Sequence, residues 1–98
     1  MNNITKVSEL TVEDVADYIN LFELSNSDTN TINNLINIAK AYIKKYTGQS
    51  DLDISPEFVI VVLILVQDMW DNRTLYVDST NLNKTVESIL DLYSVNLL

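Results

Sequence analysis

The chain has 98 residues, six of them Lys or Arg and fourteen Asp or Glu, for a net charge of −8. That length makes one domain with a small core. It contains neither cysteine nor histidine, which excludes disulfides, thiol catalysis, Cys/His metal sites and histidine acid–base chemistry together. Hydrophobic residues at 47%, with one Gly and one Pro, argue for a compact, helix-rich fold rather than a disordered chain. The acidic balance opposes tight binding to nucleic-acid phosphates, which needs clustered Lys and Arg, but permits contact with DNA that must not stick. The N-terminus lacks the basic-then-apolar layout of a signal peptide, so a cytoplasmic protein is expected.

The first helix is predicted in "LTVEDVADYIN", with Thr11 as N-cap, acids in the first turn, and Val12, Val15, Ala16 and Ile19 in one stripe. "LFELSNSDTN" is polar and cap-rich, hence a loop. A second helix is expected from about Asp28 to Tyr46, where Ile32, Leu35, Ile36, Ala39, Tyr42, Ile43 and Tyr46 fall within an arc of ~120°. Lys40, Lys44 and Lys45 sit near its C-terminal end, where cations suit the dipole, and Gly48 follows as the stop.

The apolar run Phe58 to Val66 is far too short for a membrane helix, which needs ~20 residues. Its valines and isoleucines would permit a strand. Its edges decide for a helix from about Pro56 to Asn72: Ser55 is a good N-cap, Pro56 fits the first helical position and Glu57 suits the positive dipole end. Beyond Val66 the polar Gln67, Asp68 and Asp71 share one face, opposite Phe58, Val62, Leu65 and Met69. "TLYVDSTN" is a connector, extended at most through Leu75 to Val77, and a last helix is predicted from about Asn83 to Val95, burying Val86, Ile89, Leu90 and Tyr93. The expected fold is therefore all-α: a small bundle of four helices around a central apolar third helix, in one domain over residues 1–98.

Several features resemble chemistry without supplying it. "DLDISPE" places oxygens at alternate positions as a calcium loop does, but has Pro56 where that loop needs Gly and Val62 at its twelfth position; the plainer reading is a loop entering the Ser55 cap. Asp68 and Asp71 are an i,i+3 pair with no basic or nucleophilic partner nearby in sequence, which marks a solvated or salt-bridged face. Lys40, Lys44 and Lys45 form either a dipole-complementing set that pairs with acids or a partner-binding patch. Tyr42, Tyr46 and Trp70 could stack on bases, but their helical spacing marks them as core, with Phe58, Val62, Leu65 and Met69. Arg73, the sole arginine, can make a bidentate bond to a carboxylate; it either clamps a neighbouring helix or a backbone carbonyl, or contacts another subunit. Ile60 and Ile64 lie on the face of Gln67 and Asp71, where a lone amphipathic helix would be polar. Either another helix of the chain covers them or they meet a neighbouring subunit. No catalytic constellation, cofactor site or metal site emerges.

The segments "AYIKKYTGQS", "ISPEFVIVVLILVQDMWDNRT" and "VESILDLYSV" resemble the head–tail connector (adaptor, or head-completion) family of tailed bacteriophages and prophages. The likeness lies in an "LTxEDVxxYI"-like start at Leu10 to Ile19 and a helix ending in Tyr46, Thr47 and Gly48. It continues with a Pro-initiated apolar helix that closes in Trp70, Asn72 and Arg73, and a final helix bearing Ile89, Leu90 and Tyr93. Family members often carry Pro or Gly before the last helix and a basic residue after its Tyr; here the connector is "DSTNLNK" and Ser94 follows Tyr93.

The resemblance implies a non-enzymatic helical subunit that assembles with copies of itself as a ring, dodecameric on the portal protein. It implies location in the virion neck after assembly and the host cytoplasm before, with a further neck or tail-completion protein as the next partner. DNA would only pass through the channel, without sequence-specific binding, and no membrane is involved. A different class stays open: a small acidic inhibitor or DNA mimic of a mobile element, presenting carboxylates to a host protein.

Overall fold

The boundaries of the helices are set by side-chain caps. In the computed structural model, which describes residues 4–95, α1 spans Val12–Tyr18, α2 Asn26–Thr47, α3 Glu57–Asn72 and α4 Lys84–Tyr93. Short 3-10 turns lie at Val7–Glu9, Leu52–Ile54 and Ser79–Asn81, and the described residues contain no strand. The protein is all-α, as its periodicity predicts.

Thr11 opens α1 with a reciprocal capping box: its hydroxyl accepts the Asp14 N–H at 3.2 Å while its own N–H donates to Asp14 Oδ2 at 3.0 Å. Ser25 and Asp28 repeat the device for α2, at 3.0 and 3.3 Å. Helix α2 accordingly starts at Asn26, earlier than the sequence suggests, because Asp28 closes the box as the third residue of the helix rather than its first. Its other end is closed by Gly48 in the left-handed conformation, φ 73°, whose N–H donates to the Lys44 carbonyl at 2.9 Å. A side chain at Gly48 would be strained there, and its Cβ would come within 3.4 Å of Val95.

The Ser55 hydroxyl accepts the Glu57 N–H at 3.2 Å, and Pro56 already has helical φ and ψ of −65° and −19°. Helix α3 ends at Arg73, a non-glycine residue at φ 54°, where the N–H groups of Arg73 and Thr74 bond the carbonyls of Trp70 and Met69. The connector forms no extended segment at Leu75 to Val77; it bends, and Asp78 caps the last 3-10 turn through the Thr80 N–H at 3.1 Å. Asn83 caps α4 by accepting from Thr85 and Val86. Helix α4 stops at Tyr93 rather than Val95, because the Val95 N–H turns away to donate to the Thr47 carbonyl at 2.7 Å.

Helix α3 is the middle of the molecule and packs on α1, α2, α4 and the first 3-10 turn. Eight of its side chains are buried: Phe58, Val59, Val61, Val62, Leu63, Leu65, Val66 and Met69. The stripe of Phe58, Val62, Leu65 and Met69 joins Leu35, Ile36, Ala39 and Ile43 of α2 in one buried cluster. Thr31 and Leu35 of α2 border one hollow with Met69 and Trp70, so α2 and α3 run antiparallel. Trp70, Tyr42 and Tyr46 are half-buried and pack on the cluster's edge. The radius of gyration, 13.1 Å, equals what a compact chain of ~100 residues has.

Candidate interaction surfaces

The C-terminal part of α4 is fastened to the α2–α3 junction by polar groups. The Tyr93 hydroxyl donates to Glu57 Oε1 at 2.9 Å and accepts from the Ser55 hydroxyl at 3.0 Å, while its ring meets Phe58 edge-on at 5.0 Å. Gln49 Nε2 donates to the Tyr93 carbonyl at 2.9 Å. These contacts account for the buried Ser55 and leave that end of the molecule structurally committed.

The oxygen-rich loop is likewise a structural joint. Asp53 accepts the Ser8 N–H at 3.0 Å and the Ser8 hydroxyl at 2.6 Å, and Asp51 accepts the Asp53 N–H at 2.9 Å. Ser8, with smaller help from Lys6 and Lys40, holds the Asp53 carboxyl below the usual range. Among the described residues no group of three or more Asp or Glu is placed to hold a metal ion.

Asp68 and Asp71 lie exposed on α3, and the Asp68 carboxyl is raised by burial and then by Asp71. Asp68 borders a cleft of about 350 Å³ under the connector, with Asn72, Thr74, Tyr76, Asp78 and Asn81. Asp78 is occupied by Thr80 and Asn81. The cleft brings together amides, hydroxyls and carboxylates.

The two isoleucines of the anomalous face part company. Ile60 is 49% exposed although residues 58, 59, 61, 62 and 63 are all buried. Ile64, one turn on, is half-buried and packs against the core. Intrachain packing thus covers half of the strip and leaves Ile60 as an apolar point on the surface.

Arg73 lies with its guanidinium 5.0 Å from the centroid of the Trp70 ring. The contact is a cation–π stack on the same helix rather than the expected clamp onto a neighbouring helix or a backbone carbonyl, and the left-handed turn places Arg73 at the end of α3. Beside it stand two exposed apolar residues of the connector, Leu75 and Tyr76, at 68% and 63%.

Lys44 and the half-buried Lys40 line a groove of about 180 Å³ with Val7, Ser8, Ser50, Asp51, Leu52 and Asp53. Lys40 is close enough to Asp53 to help lower its carboxyl. At the start of α2, the loop residue Phe22 is 82% exposed, the most exposed large apolar side chain described. Reading residues 21–30 as polar and cap-rich passes over Phe22, whose signal is a bulky aromatic between two charged or capping stretches. Comparison with family models, with curated proteins and with solved structures gives no match. Among the described residues no helix is long and apolar enough to cross a membrane.

Proposed function

We propose that this chain is a head–tail connector subunit of a tailed phage or prophage, assembling as a ring on the portal, extending the DNA channel and presenting a platform to the next neck protein. The observation that carries the reading is a pair of separate apolar surfaces on one small acidic subunit: Ile60 near the start of α3, and Leu75 with Tyr76 beyond its end. The first lies in the opening turn of α3 and the second in the bent connector that follows it. A subunit in a ring needs a front and a back that differ, because each heterologous contact joins two unlike patches. The sequence likeness supports the same reading, since its motifs fall on functioning caps: Tyr46-Thr47-Gly48 closes α2, Pro56 starts α3, and Asn72-Arg73 ends it.

The acidic composition suits a channel wall. Carboxylates facing passing DNA repel phosphates at short range, so the duplex slides without being held. Native mass spectrometry with purified portal rings encoded in the same genome tests the proposal. Addition of a fixed ring of subunits to each portal supports it. A protein that stays monomeric or dimeric, ignores intact portal rings and displaces DNA from a host protein instead would be an acidic inhibitor.

A further inference from the structure

Three of the chain's six cations gather at one groove. Lys40 and Lys44 line it, and Lys6 lies close enough to Asp53 in the same groove to act on that carboxyl. On a molecule of net charge −8 this is a local reversal of sign. In the groove the Asp53 carboxylate is engaged by Ser8 and that of Asp51 by the Asp53 N–H, and Lys40 adds its charge to the field that lowers Asp53. Its apolar lining comes from Val7 and Leu52, both buried. Its volume of about 180 Å³ is below the ~300–1,000 Å³ of small-molecule sites and on the scale of one side chain.

The complementary feature is on the same chain. Phe22 protrudes from the loop between α1 and α2, with Glu23 next to it and Glu13 lining the same shallow groove. A knob flanked by carboxylates is complementary in charge to a groove rimmed by lysines. It cannot reach its own hole, because most of α2 intervenes: from Ser25 to Lys44 the helix rises ~28 Å. We infer that the lysine groove receives Phe22 and its flanking carboxylates from a second copy of this chain. The inference rests on the self-assembly reading above and adds a contact to the Ile60 and Leu75–Tyr76 patches. Knob and hole occupy different places, so each joined pair keeps one of each free, as a ring requires.

The test uses two variants, Phe22→Ser (no knob) and Lys44→Glu (spoiled hole), each first shown to melt like wild type. Oligomeric state is read by sedimentation velocity, alone and on portal rings, at low and high salt. Wild type is expected to associate in at least one of these settings and to weaken with salt. Each variant alone should lose contact between copies. Their mixture should regain a one-to-one dimer, because the knob of one still fits the hole of the other. If both variants assemble like wild type, or the mixture stays unassociated, the contact is wrong and the connector reading stands. If wild type neither self-associates nor binds portal rings, both fall.

Discussion

The Tyr46 hydroxyl donates a 2.5 Å hydrogen bond to Asp91 Oδ1, joining the last turns of α2 and α4 across their outer edge. That bond, reinforced by partial burial and neighbouring negative charge, pushes the phenol up to about 12, against ~10 for a free tyrosine. The native state therefore holds the proton more tightly than the unfolded chain. The stabilisation is complete below pH ~10 and disappears as the pH rises through about 12. Tyr46→Phe should flatten the alkaline fall in melting temperature and delete the last step of the tyrosine absorbance titration.

The centre of α3 is where a truncation should hurt most. Leu65 is 2% exposed in the cluster shared with α2, and Leu→Ala at such a site costs ~2–5 kcal/mol. A domain of this kind has only ~5–15 kcal/mol in total, so Leu65→Ala should lower the denaturant midpoint sharply without changing the helical spectrum of what stays folded. A midpoint equal to wild type would mean that the site collapses without cost.

Arg73 presents the opposite case. An exposed cation–π contact contributes ~0.5–1 kcal/mol, so Arg73→Lys should cost less than ~1 kcal/mol, although a bidentate carboxylate clamp would have made it severe. Arg73→Gly removes the stack but also relieves a left-handed backbone that costs a non-glycine residue ~1–2 kcal/mol. It should melt close to wild type. The emission of Trp70, the sole tryptophan, should shift in both variants, and an unchanged spectrum would remove the stack from the account.

Ile60 and Ile64 separate surface from core within one helical turn. Ile60→Glu adds a charge where the side chain already meets water, so folding should be unaffected and only association with copies or portal should drop. Ile64→Glu pushes a carboxylate against the core and should destabilise the monomer by ~1–3 kcal/mol. Equal melting of the two variants would contradict the packing described here.

The four helices were legible because apolar period and caps agreed: Thr11, Ser55 and Gly48 each act where their chemistry predicts. The start of α2 was misplaced because polar residues inside a first turn look like loop when the capping box is not recognised. The end of α4 is harder to read, because tertiary bonds from Val95 to Thr47 and from Gln49 to Tyr93 help to end it. Whether Arg73 reaches a carboxylate, a backbone carbonyl or its own helix is not legible in sequence, which gives no backbone angle; the left-handed φ sets it beside Trp70. The surfaces were the least legible. Ile60 and Ile64 share a helical face, and which of them is covered depends on the neighbouring helices.

Helix α4 contributes only two fully covered side chains, Val86 and Leu90, against eight buried in α3, and the bent connector of residues 73–83 is its leash. Its other fasteners include the half-buried Ile89 and Tyr93 and rim hydrogen bonds with Tyr46, Ser55, Glu57 and Gln49. A segment so held opens by itself at less free energy than global unfolding needs. Backbone amides of α4 should thus exchange with deuterium well before those of α3, in a sub-global opening that leaves α1 to α3 protected. Such an opening would uncover the α4-facing sides of α2 and α3 one subunit at a time, without dismantling the core.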